Sequence, residues 1–208
     1  MDCDGLRGDQ WERLKEFGPG GRKGKRGPRS DHRRFLNALL WMARSGGRWR
    51  DLPERLGDYE TVKRRYYRWI EMGGGLDDIL AALAREADLE WLMIDSTIVR
   101  AHQQAAGARR EKGGKRGADA QGLGRSRGGL STKIHAAGDA LGNPVRLIGS
   151  PGQRNDIAFA HELIEGFAPD VTIADKGYAA DHLCGKIAES GGEPVIPPKR
   201  NRTFQASL

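Results

Sequence analysis

Leu89-Glu90-Trp91-Leu92-Met93-Ile94-Asp95 and Val171-Thr172-Ile173-Ala174-Asp175-Lys176-Gly177-Tyr178 each read as an apolar strand closed by a carboxylate, Asp95 in the first and Asp175 in the second. A carboxylate on an apolar strand is costly to desolvate unless a cation or a hydrogen-bond donor meets it. Two such strands therefore point to a shared metal site built from Asp95 and Asp175. For either acid taken alone, a strand-end cap or an ion pair with Arg100 or Lys176 is the simpler reading.

The surrounding chain sets the fold class. Between the two acids lie Leu130, Thr132, Ile134 and Ala136 alternating with Ser131, Lys133 and His135, then a turn over Asp139-Ala140-Leu141-Gly142-Asn143-Pro144 and a return strand from Val145 to Ile148. Period-two alternation on both sides of a Gly/Asn/Pro turn is the pattern of a hairpin. Helices are expected from about Asp156 to Phe167 and from about Ala180 to Glu189, with a last short strand at Pro194-Val195-Ile196. Asp156 is read as the N-cap of its helix. Strand, hairpin, helix, strand, helix, strand gives an α/β domain with a mixed sheet.

Upstream the periodicity is helical. Phe35, Leu36, Leu39, Leu40 and Ala43 recur at three- and four-residue spacing, with Ser30 or Asp31 as cap and Gly46-Gly47 as stop. A second helix runs from about Tyr59 to Met72, with Val62, Tyr66, Trp69 and Ile70 on one face and Lys63, Arg64 and Arg68 on others. Trp49 and Leu52, in the turn between them, are candidate core plugs. Two helices and a turn, the second helix basic, match either a helix-turn-helix that meets DNA or a small bundle with a solvated basic face. An acidic linking helix follows.

Charge narrows the partners. The 208 residues carry a formal net charge of +7 and a pI near 9.6, which favours a polyanion. Residues 22 to 34 form a basic arm, and between Arg100 and Lys133 nine basic residues face only Glu111 and Asp119. Gly107 to Arg127 is Gly-rich without apolar periodicity and is expected to be a mobile loop. Cys3 and Cys184 have no metal or redox spacing, no apolar run spans a bilayer, and no signal segment is evident. A cytoplasmic, nucleoid-associated protein without membrane contact is expected.

Three strings, Met93-Ile94-Asp95-Ser96-Thr97-Ile98-Val99-Arg100-Ala101-His102, Gly124-Arg125-Ser126-Arg127-Gly128-Gly129-Leu130-Ser131-Thr132-Lys133-Ile134-His135 and Ile173-Ala174-Asp175-Lys176-Gly177-Tyr178, closely resemble bacterial insertion-sequence transposases of the IS-five type. Trp49-Arg50-Asp51-Leu52-Pro53 resembles that group's N-terminal region. The resemblance implies an RNase H-like catalytic domain, in which two Asp and one Glu hold two Mg²⁺ ions, with Mn²⁺ as an alternative, for DNA strand cleavage and joining. Asp95 and Asp175, 80 residues apart, then stand as the first two acids. It implies duplex DNA as partner, at the element ends and at the target, and a homo-oligomer when active. DNA contacts are expected at Lys63, Arg64, Arg68, Arg125, Arg127, Lys133 and Lys176. Tyr178 is a further candidate beside phosphate, and His102 and His135 are expected on strands near the site in structural roles.

On this reading residues 1–30 are an N-terminal segment and basic arm, 31–75 a helical DNA-binding domain, 76–88 a linking helix and 89–208 the catalytic domain. The family's third acid lies on a later helix. Glu189 and Glu193 follow Asp175 too soon to match it, so the triad is expected to be incomplete and this chain inactive by itself. The alternative is a non-catalytic DNA-binding regulator that competes with the full-length enzyme.

Overall fold

The computed structural model describes residues 5–17, 31–71, 73, 75–102 and 122–199. Contacts divide the chain into two units, Met1–Ala82 and Leu83–Leu208. The basic stretch 18–30 and most of the expected Gly-rich loop, 103–121, lie outside the described residues.

The first unit is helical. A short helix not anticipated from the sequence, α1 (Gly8–Leu14), precedes α2 (His32–Ser45) and α3 (Tyr59–Glu71). Asp31 caps α2 by accepting from Arg34 N at 2.9 Å, and Gly46 ends it in the left-handed conformation at φ 60°. That end is cheap only for glycine. Arg33 and Arg34, read as part of the basic arm, belong to α2. Asp58 holds the start of α3 by accepting from the Thr61 amide and hydroxyl at 2.9 and 2.7 Å. Phe35, Leu36, Ala38, Leu52, Leu56, Val62 and Trp69 form the core, with Phe35 meeting the Trp69 ring edge-on at 5.8 Å. Trp49 is half-buried against this core and Ile70, expected on the apolar face, is 47% exposed. The connection between α2 and α3 contains two 3-10 turns, Trp49–Asp51 and Glu54–Leu56. It is longer than the tight turn of a classical helix-turn-helix motif. Helix α4 (Gly75–Ala84) is shorter than the expected linking helix.

The second unit is a six-stranded mixed sheet backed by helices. Its strands are β1 (Trp91–Arg100), β2 (Gly124–Ser126), β3 (Gly129–Gly138), β4 (Pro144–Pro151), β5 (Val171–Ala174) and β6 (Glu193–Val195). β1 is antiparallel to β3, and β3 to both β2 and β4, while β5 runs parallel to β1 and β6 parallel to β5. An antiparallel meander followed by two parallel strands on the other side of the first strand is the RNase H-like arrangement. Helices α5 (Ile157–Ile164) and α6 (Asp181–Glu189) contribute Ala160, Leu163, Ile164, Leu183 and Ile187 to a core with Leu92, Ile94, Ala137 and Ala174.

Two local readings change. β1 does not stop at Asp95 but continues to Arg100, because Thr97, Ile98 and Val99 pair with β3 in register Thr97↔Ile134 to Val99↔Thr132. β-Branched residues suit such a ladder. In β3 the alternation holds with its phase inverted: Ser131, Lys133, His135 and Ala137 are buried, and Leu130, Thr132, Ile134 and Ala136 are only half-buried. Gly124–Ser126, placed in the loop from the sequence, is a strand on the edge of β3.

Candidate active site

Asp95 and Asp175 come together through strand pairing. β1 and β5 are neighbours with Ile94 opposite Ala174, so each acid is the next residue along its strand. Ile94 and Ala174 are buried on the helix side, and one residue further the side chain points to the opposite face. Both acids are exposed there, beside exposed Trp91 and Met93. Ladders to β3 on one side and β5 on the other fix β1, so Asp95 has little backbone freedom.

Asp175 is fixed differently. β5 ends at Ala174, and Asp175, at φ −76° and ψ 171°, accepts a hydrogen bond from Gly177 N at 2.8 Å through Oδ1, opening the 3-10 turn Lys176–Tyr178. A Cβ at position 177 would stand 2.8 Å from that same oxygen. A side chain at 177 would press the carboxylate out of this seat.

Beneath the acids, on the helix side, lies a polar cluster that the sequence did not reveal. Asp156 Oδ1 accepts from Ser96 Oγ at 2.7 Å and from Lys133 Nζ at 2.8 Å, and Lys133 Nζ also reaches Arg154 O at 2.8 Å. Asp156 occupies the N-cap position of α5 but its side chain caps nothing. Its carboxyl lies below the usual carboxylate range: burial works to raise it, and the hydrogen bonds from Lys133 and Ser96 with the lysine charge outweigh burial. His135, fully buried, is pushed down by burial, against the pull of Asp156. Its Nε2 shares a hydrogen bond with Ser150 Oγ at 2.8 Å, and its ring stacks on Phe159 at 4.4 Å.

Tyr178 links cluster and acids. Its side chain is fully buried, with Ser96 beside its hydroxyl, and Oη makes no well-formed hydrogen bond among the described residues. Burial raises its pKa, followed by the charges of Asp156, Asp95 and Asp175, so the phenol stays protonated. Tyr178 therefore lies under the acid pair, not on a surface facing phosphate.

The remaining sequence candidates separate by exposure. Lys63, Arg64 and Arg68 on α3, Arg125 on β2, Arg127 and Lys176 are exposed, whereas Lys133 is 8% exposed and engaged by Asp156. Lys133 is consequently an internal counter-ion with no free charge for DNA. His102 lies just beyond the end of β1, not on it. Glu189 ends α6 and Glu193 begins β6, both exposed. Among the described residues, no group of three or more His, Cys, Asp or Glu side chains is gathered closely enough to hold a metal ion. The signal for the hidden cluster was present in outline: Ser96, Lys133 and His135 fall on the strand faces where Ile94 and Ala137 are buried, and polar residues in such positions need internal partners.

Two family descriptions match the chain. The family described as "Putative transposase of IS4/5 family" matches residues 6–75, and that described as "Transposase DDE domain" matches residues 87–207. The chain is 82% identical over 115 residues to "Uncharacterized protein y4sN" of Sinorhizobium fredii, covering 55% of this chain and 91% of that protein. It is 40% identical over 62 residues to "Putative transposase for insertion sequence element IS6501" of Brucella ovis, covering 29% of this chain and 48% of the relative. The match thus spans about half the length of that transposase. Among solved structures, a piggyBac transposase synaptic complex with hairpin DNA aligns at TM-score 0.46 and 12% identity over 94% of this chain and 50% of that one. A Mos1 transposase paired-end complex aligns at TM-score 0.32 and 12% identity over 90% and 65%.

Proposed function

Because the chain belongs to the insertion-sequence transposases with a DDE domain, we propose that it acts in DNA transposition through two separable parts. Residues 31–75 bind the duplex ends of the element, and residues 89–208 carry the acids for metal-dependent strand cleavage and transfer. The observation that carries this reading is the placement of exposed Asp95 and Asp175 each one residue past the paired Ile94↔Ala174.

The donor set fits a hard divalent cation: two carboxylates on an open face, with oxygen the only ligand type. Mg²⁺ or Mn²⁺, when bound, supplies the positive charge that an in-line displacement at phosphorus requires. Everything else falls to the chain. Asp95 is held by a strand paired on both edges, and Asp175 by the Gly177 amide, so their positions are set before substrate arrives. Buried, protonated Tyr178 adds no further negative charge beneath them. The open face admits a phosphodiester, and exposed Lys176, Arg125 and Arg127 offset the charge of the DNA backbone. On α3, exposed Lys63, Arg64 and Arg68 meet the duplex while Val62 and Trp69 anchor the helix from behind. The active assembly is a homo-oligomer of this chain.

Fluorescence anisotropy with a duplex carrying the element's end and a scrambled duplex, each at rising salt, tests the first part. Tighter binding to the end, weakened in Arg64→Gln and Arg68→Gln, is expected. Equal binding to both duplexes would contradict end recognition. Binding without a divalent-cation site would leave the non-catalytic regulator as the better reading.

A further inference from the structure

The first unit carries a cleft that duplex recognition draws on only through Lys63 and Arg64. A cavity of about 640 Å³ opens between the Trp49–Asp51 turn and α3. Arg48, Arg50, Lys63 and Arg64 line it, and the one carboxylate among its lining residues, Glu60, accepts from the Tyr59 hydroxyl at 3.2 Å. Aromatic rings share the wall. Tyr67, also in the lining, is 48% exposed although it is large and flat. It is not loose: Tyr67 meets Tyr66 edge-on at 5.5 Å, and Tyr66 packs on Trp49 at 5.4 Å against the core. A ring braced from behind and open in front is a stacking platform.

We propose that this cleft binds single-stranded nucleic acid, with a base stacked on Tyr67 and the adjoining phosphates met by Arg48, Arg50, Lys63 and Arg64. Cations alone would suit a duplex backbone, whose bases are already stacked on one another. Aromatic faces among cations suit unpaired bases, whose π-faces are free, and they do so with little regard to sequence. The site is an open groove of about 640 Å³, so a base can reach the exposed Tyr67 ring from solvent. The proposal shares with the proposed function the premise that DNA is the partner and the cations Lys63 and Arg64; the Tyr67 platform is its own. It needs neither the element's end sequence nor the acids.

The test uses the full chain, a fluorescent oligothymidine and a blunt duplex of random sequence. Tyr67→Leu should weaken binding of the single strand by about tenfold and leave the duplex within about twofold, as expected for loss of one stacked base. Tyr67→Phe, which keeps the ring, should bind the single strand like the parent protein. Lys63→Gln should weaken both ligands and make the salt dependence of both shallower. Single-strand affinity unchanged in Tyr67→Leu, equal losses for single strand and duplex, or absence of single-strand binding by the parent chain would each overturn the stacking cleft. Because neither oligonucleotide carries an element end, failure of end recognition would leave this result standing.

Discussion

Lys133 and Asp156 show how little a residue's charge says about its role until its partners are known. Both side chains are largely withdrawn from water, at 10% and 27% exposure, and joined at 2.8 Å. Removing the cation alone leaves a carboxylate without compensation, so Lys133→Met should destabilise the second unit by about 2 kcal/mol, less than for a fully buried pair because Asp156 keeps some solvent. Denaturant titration should find Lys133→Met with Asp156→Leu less damaging than the sum of the single changes. DNA affinity should be unaffected by Lys133→Met, in contrast to Lys176→Gln. His135 supplies the pH dependence. Its folded value lies below the ordinary one, so the unfolded chain binds the extra proton, and the stability it contributes is full above about pH 6.5 and falls as pH drops below that. Asp156, also lowered, adds a further loss in the carboxylate range. Thermal unfolding followed from neutral to acid pH should show a shallower decline in His135→Gln than in the parent. His32 in the first unit shifts the same way, mainly through burial, so the comparison between the two proteins isolates His135.

At the scale of elements, the turn after β5 is where local geometry and function meet. A methyl group at position 177 presses on Asp175 Oδ1, so Gly177→Ala should weaken Mn²⁺ affinity, measured by titration calorimetry, by more than it lowers the unfolding temperature. An unchanged affinity would mean that the position of Asp175 Oδ1 is not limited by the space at residue 177. Asp31→Ala, which strips the α2 cap, should cost about 1 kcal/mol in the first unit and leave metal binding alone. The hairpin, both flanking helices and the capped helix α2 were legible because periodicity and turn residues are local signals. The true extent of β1 was not, since its second half is strand only by pairing with β3. Nor was the phase of β3, where polar Lys133 and His135 turn inward to partners on other elements; no local pattern encodes that. The two apolar runs that Asp95 and Asp175 follow were legible, whereas the seat of Asp175 and the inward face of Tyr178 depended on the turn that follows β5.

For the molecule as a whole, no helix among the described residues is long and apolar enough to cross a membrane. The account rests on a division of labour between a helical unit with an exposed basic face and a sheet with two carboxylates on an open side. These should respond independently. Neutralising Arg64 should change salt-dependent DNA binding without altering metal affinity, and losing Asp95 should do the reverse. The central claim, that Asp95 and Asp175 jointly hold a divalent cation, is tested most directly by Mn²⁺ titration monitored by electron paramagnetic resonance on the parent chain, Asp95→Ala, Asp175→Ala and Asp156→Asn. Saturable binding by the parent and by Asp156→Asn, lost in both Asp95→Ala and Asp175→Ala, is the expected result. Binding that survives either of those two losses, or that disappears with Asp156→Asn alone, would contradict the account.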